Sequence, residues 1–148
     1  MSADIQNLAM PSFKQILGEA STNLVSQRQG FSVTLDASNQ RLLVFGGKTT
    51  NDKGVTVFLN DVVEFNLVTH AVSKLTPTQV NPKKRSFEPP GLCNHSAWLS
   101  GKYLMLFGGQ SSDIACSSVV YAFHLEYKLW FKLFQMSPPA PRMDFAFV

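Results

Sequence analysis

A chain of 148 residues with 45 % hydrophobic and only 16 % charged residues has the material for one well-buried core and is not a disordered polymer. Its net charge of +3 is too small to argue for nucleic acid without a clustered basic face, and no apolar run reaches the roughly 18 residues that cross a bilayer. Met1 to Gln29 lacks the charged start and long apolar stretch of a secretory leader, and the two cysteines, Cys93 and Cys116, suit a reducing compartment. Cytoplasm is therefore expected, with the nucleus as the other setting of that kind.

Residues 1–27 stand apart as an N-terminal arm, in which Pro11 in a first turn and Gly18 near an end are compatible with a short helix. From residue 28 the pattern becomes short β runs separated by turn chemistry. Strands are predicted near 30–35, 41–46, 61–67 and 71–76, then 93–99, 103–108, 118–125 and 129–135, with a ninth starting at 143. Asp36-Ala37-Ser38-Asn39 and Ser100-Gly101-Lys102 read as tight turns, because these residue types accept positive φ or cap the turn with side chains. The fold class that follows is all-β.

The strands repeat. Arg41-Leu42-Leu43-Val44-Phe45-Gly46-Gly47 matches Lys102-Tyr103-Leu104-Met105-Leu106-Phe107-Gly108-Gly109, and Phe65-Asn66-Leu67 matches Phe123-His124-Leu125. Phe31-Ser32-Val33 precedes one glycine pair and His95-Ser96-Ala97 the other. Arg142-Met143-Asp144-Phe145 resembles Arg28-Gln29-Gly30-Phe31, as though a third copy begins. A four-stranded unit recurring every 50–60 residues or so is the signature of a propeller blade.

On these residues the chain resembles the kelch-repeat family across 28–148. The second copy supplies His95-Ser96, Gly108-Gly109, Tyr121 and Trp130, and the first supplies Arg28, Gly46-Gly47 and Asn60-Asp61. The first copy departs with Val63 where Tyr121 sits and Val72 where Trp130 sits; the second has Leu92 near the expected arginine. The resemblance implies antiparallel four-stranded propeller blades: a degenerate blade over 28–85, a second over 86–141, and the first strand of a third repeat over 142–148. An incomplete propeller exposes apolar sheet faces, so further blades are expected from a longer chain, another subunit or self-association.

Each singled-out residue has a structural role that outweighs the functional one. Gly46, Gly47, Gly108 and Gly109 end strands where a turn or a neighbouring blade leaves no room for a Cβ; no helix or Lys-Ser/Thr follows to make a phosphate loop. Tyr121 and Trp130 suit packing between blades, and Arg28 and Arg142 suit hydrogen bonding there. His95 falls on a first-strand position where a structural role suffices. No metal or cofactor is expected: Cys93, His95, Cys116 and His124 lack ligand spacing, and no nucleophile motif surrounds the serines.

Function is expected in the long connections, which in such a meander emerge on one face: 48–59, 77–91, 110–117 and 136–141. Lys48, Thr49, Thr50, Asn51, Asp52 and Lys53, then Lys83, Lys84 and Arg85, then Gln110, Ser111 and Asp113 are the candidate partner-binding residues. Their balance of charge favours an acidic protein partner, with neither nucleic acid nor membrane involved. Pro82-Lys83-Lys84-Arg85 also has the form of a nuclear import signal, a reading too common among basic runs to adopt. The chain is thus expected to be a protein–protein interaction module, a scaffold or recognition part of a larger complex, and not an enzyme. The alternatives are a fragment of a propeller enzyme of the copper oxidase or sugar isomerase type, and a truncated product without independent function.

Overall fold

The computed structural model describes residues 27–78, 87–111, 116–133 and 139–144, and none of these is helical. In chain order the strands are β1 (Ser32–Asp36), β2 (Arg41–Phe45), β3 (Lys48–Thr50), β4 (Thr56–Phe58), β5 (Val62–Asn66), β6 (Val72–Lys74), β7 (Cys93–Ser100), β8 (Tyr103–Gln110), β9 (Val120–His124) and β10 (Leu129–Leu133). They form two antiparallel four-stranded sheets, β1-β2-β5-β6 and β7-β8-β9-β10, each a simple meander, and a separate β3-β4 hairpin. The all-β expectation holds.

Register sorts the side chains. Val33 lies opposite Val44 and Leu35 opposite Leu42, placing these four on one face of the first sheet; Ser32 opposite Phe45 and Thr34 opposite Leu43 occupy the other. That second face meets the second sheet. Between them lie Leu43, Phe45, Val62, Leu75, Leu92, Leu104, Leu106, Tyr121, Phe123, Leu125 and Trp130, all buried. Phe45, fully buried, is gripped edge-on by two rings of the second sheet, His95 at 5.1 Å and Trp130 at 5.6 Å between centroids. Burying side chains of this size stabilises the junction by roughly 1.5–3 kcal/mol each.

Both sheets turn the chain in the same way with different residues. Asn66 Oδ1 accepts the Val68 and Thr69 N–H groups, and His124 Nδ1, at the matching position, accepts those of Glu126 and Tyr127. Four residues past each acceptor the backbone turns left-handed, at His70 (φ 59°) and Lys128 (φ 55°), closing a bond back to Asn66 O and His124 O. The β1–β2 turn is capped by Asp36, whose carboxylate receives Asn39 and the Arg41 Nε at 2.8 Å.

The segment 48–59, expected as a long loop, is a correction: it folds as the β3–β4 hairpin. Lys48-Thr49-Thr50 pairs with Thr56-Val57-Phe58, two runs rich in β-branched residues, and Asn51 closes the turn by accepting the Lys53 and Val55 N–H groups at 3.0 and 2.9 Å. Elsewhere the edges shift. β6 is confined to Val72–Lys74, while β7 and β8 run on to Ser100 and Gln110, past the predicted ends. The proposed helix after Pro11 and most of the ninth strand lie outside the described residues.

Candidate functional site

The seam between repeats is made of backbone. Gly47 N–H donates to Leu92 O at 2.8 Å, and Gly109 N–H donates to Arg142 O at 2.9 Å, so the second glycine of each pair docks the start of the next repeat. The same glycines receive a second bond through their carbonyls, from Leu59 N–H and Ser117 N–H. One step along, Asn94 N–H donates to Gly30 O at 2.7 Å and Asp144 N–H to Asn94 O at 3.1 Å. Gly30, Asn94 and Asp144 occupy equivalent places in three successive repeats, and all three are left-handed, with φ of 67°, 57° and 52°. A Cβ on Gly46 would stand 2.6 Å from Leu92 O, and one on Gly109 2.7 Å from His95 Cβ, which is why neither place accepts a side chain. Gly108 lies buried beside Gly109, opposite His95.

Side chains complete the seam. The Arg28 side chain is 3 % exposed and forks onto Asp61 at 2.9 and 3.1 Å while also donating to Gly46 O. His95 crosses the junction: its Nε2 sits 2.8 Å from Ser32 Oγ on β1, and its buried Nδ1 faces the Leu92 backbone without a partner at hydrogen-bonding geometry. Burial holds the imidazole neutral, with its pKa pushed down to about 4. Trp130 and Tyr121 point into the same junction at 7 and 8 % exposure, and burial raises the Tyr121 phenol. Arg142 differs from Arg28 in being exposed, with Nε on Ala140 O and its guanidinium 6.0 Å from the Phe107 ring centre.

Beside Arg28 opens a shallow polar pocket of about 320 Å³, lined by Gln27, Arg28, Gln29, Lys48, Thr49 and Thr50. The short Gln29–Lys48 bridge holds its two walls together, and no acidic side chain lines it among the described residues. Of its two cations, Arg28 is paired with Asp61, whereas Lys48 makes no ion pair among the described residues. The hairpin rises next to it, with Asn51, Asp52 and Lys53 exposed at its turn.

The chain matches the family model described as the KLHDC2/KLHL20/DRC7 Kelch-repeats domain over residues 8–148. It belongs to the kelch-repeat family. Its two four-stranded sheets are kelch blades, and such domains are in general protein-interaction modules, typically without enzymatic activity. No curated protein matches the chain. The blades do not close into a ring among the described residues.

Of the candidate partner-binding residues, the structure brings Lys48 and Thr49 together at the kelch pocket and sets Asp52 and Lys53 on the hairpin turn. Asn51 is engaged in shaping that turn. Gln110 and Ser111 are half-buried at the end of β8, where Gln110 bridges to Cys116. Lys83, Lys84, Arg85 and Asp113 lie outside the described residues. Among the described residues no three His, Cys, Asp or Glu side chains cluster as metal ligands. Sequence reasoning missed the pocket wall at Gln27 and Gln29 and the left-handed pair Asn94 and Asp144. The signal for the latter was available: Asn and Asp, with Gly, are the residues that tolerate that backbone.

Proposed function

We propose that this chain is a recognition module that engages an acidic segment of a protein partner at the loop-bearing end of blade 1, as a scaffold or recognition part of a larger complex. The observation that carries the reading is the pocket itself: among the described residues six polar side chains line it, none is a carboxylate, and Lys48 makes no ion pair. The adjacent hairpin, with Thr49, Thr50 and Lys53, supplies further donors to an acidic surface. The two free thiols, Cys93 and Cys116, favour a cytoplasmic setting.

The module works with further blades. Phe31, just before β1, and Val33 and Leu35 on it are 42, 52 and 57 % exposed, whereas His95, at the Phe31 position of blade 2, is 8 % exposed because blade 1 covers it. The open face of blade 1 has the form of a blade-to-blade junction, and we assign it to another kelch-type blade. The test of recognition is direct. Asp/Glu-rich and charge-neutral peptide arrays are probed with the chain and with Lys48→Glu; the acidic arrays should be preferred, and the variant should lose at least tenfold in affinity. Equal binding to both arrays would overturn the reading.

A further inference from the structure

The pocket beside Arg28 is a gap in a β-ladder. Gln29 and Lys48 exchange both main-chain bonds, Gln29 N–H to Lys48 O at 3.0 Å and Lys48 N–H to Gln29 O at 2.9 Å, and the pairing stops there as an isolated bridge. Two steps on, the next rung of such a ladder would join Gln27 to Thr50. That rung is not made, and the chain bends at Gln27. The pocket of about 320 Å³ opens there, with Gln27 on one wall and Thr50 on the other. The register of the hairpin fixes what Thr50 offers. Asn51 N–H bonds to Val55 O at 3.0 Å and Leu59 N–H to Gly47 O at 2.8 Å, so Thr49, between them, turns its main-chain groups to β4. By alternation Lys48 and Thr50 turn theirs to the outer edge. Those of Lys48 are taken by Gln29; those of Thr50, an exposed residue, have no hydrogen-bond partner among the described residues. The far edge of the hairpin is closed at its base: a Cβ on Gly91 would stand 2.5 Å from Phe58 O, and Leu92 N–H donates to Leu59 O at 3.1 Å.

We propose that the acidic partner segment binds as an added β-strand, pairing its main chain with Thr50 where Gln27 leaves the ladder, and setting an Asp or Glu beside Lys48. The inference rests on the pocket being the site of an acidic segment, and it specifies how that segment is held. Thr50 N–H and C=O supply the main-chain bonds of strand addition, and the side chain opposite supplies the choice. Lys48 and Thr50 share one face of β3, so the residue paired with Thr50 projects to that face and lies diagonal to Lys48, within reach of a long side chain. Lys48 makes no ion pair among the described residues, so a carboxylate placed there meets an open charge. A segment held as a helix, or with proline at the paired position, is refused, because each withholds the N–H that Thr50 O accepts.

The experiment titrates the intact chain with a short Asp/Glu-rich peptide from the acidic arrays and with its single N-methyl derivatives. Methylating the one amide that bonds Thr50 O should weaken binding roughly five- to tenfold, and methylating the amides on either side should change it less than about twofold. On the protein, Thr50→Pro removes the outward N–H without breaking a hairpin bond and should cost a similar factor, whereas Thr50→Val keeps the N–H and should bind within about twofold of the unaltered chain. Hydrogen exchange at the Thr50 amide should slow severalfold with the peptide bound, while the Lys48 amide, already bonded to Gln29 O, is unchanged. Peptides that lose affinity with Lys48→Glu, yet are indifferent to Thr50→Pro and to methylation at every position, overturn the strand pairing and leave the reading of the pocket standing. Acidic peptides that bind no better than neutral ones overturn both.

Discussion

In blade 1 the inner end of the sheet is held by Arg28 against Asp61, a guanidinium–carboxylate pair almost out of reach of water. In blade 2 the equivalent positions hold Leu92, 1 % exposed, and Val119, packed against the core. The outer strands differ in the same spirit. Blade 2 presents Tyr121 and Trp130 to the junction, whereas at the equivalent positions blade 1 has Val63, 1 % exposed, and Val72, half-buried. One register is therefore satisfied by two chemistries, polar at the hub of one blade and apolar at the hub of the other. The comparison teaches that the backbone bonds of the glycine pairs set the repeat, and that side chains fill the remaining space by whichever means is self-consistent.

Four substitutions or conditions break or sharpen that contrast, and a denaturant melt reads each. The largest effect is expected at Trp130→Ala, which removes the ring lying against both Phe45 and Phe123 and should cost about 3–5 kcal/mol; Val72→Ala, its counterpart on the open face of blade 1, should cost under about 1.5 kcal/mol. Equal losses would mean the junction is not where the stability lies. Next, Asp61→Ala strips Arg28 of its carboxylate and should cost roughly 3 kcal/mol, yet Arg28→Leu with Asp61→Val, importing the solution of blade 2, should recover most of it. A double variant no better than the single one would show that the two hubs are not interchangeable.

The third is a pH effect. His95 is neutral at the junction with a pKa near 4, against 6.5 for a free imidazole. A depressed folded-state pKa means stability that is fully present above about 6.5 and lost as pH falls towards 4, after which the curve flattens; the total is about 3 kcal/mol or less. Asp36, whose pKa is lowered by its bonds to Arg41 and Asn39 once they outweigh burial, adds loss in the same direction at lower pH. His95→Gln should remove the upper part of this dependence alone. The smallest change is Gly101→Ala at the β7–β8 turn. Its Cβ meets nothing within 4 Å, so only the positive φ of 56° opposes it, at about 1–2 kcal/mol, whereas Gly109→Ala collides with the seam and should cost more.

Strands, turns and the pairing of copies were legible because alternation and turn chemistry are local. Residues such as Val33, Leu35 and Val44 declare a period of two, and Asp36 and Gly101 declare where it stops. The β3–β4 hairpin escaped because its polar strand, Lys48-Thr49-Thr50, alternates nothing hydrophobic, and its evidence lies in β-branching and in Asn51 caps that hydropathy does not register. The partner of Arg28 was equally out of reach: Asp61 lies 33 positions away, and only the fold decides which acid a buried arginine meets. The pocket draws its walls from two separate segments of the sequence, Gln27–Gln29 and Lys48–Thr50, so its shape is tertiary even though Lys48 and Thr49 could be nominated from composition.

The run of left-handed residues Gly30, Asn94 and Asp144 has a consequence for how such a chain changes over time. Its pitch is recorded in main-chain amides, so three different residue types perform one geometric act and the rest of each repeat is released from keeping the spacing. A duplicated unit of this kind carries its own ruler. Mutational drift can rewrite a hub from charged to oily, or lengthen a connection into a finger, without the copies losing step, provided that each retains one position able to bend the wrong way.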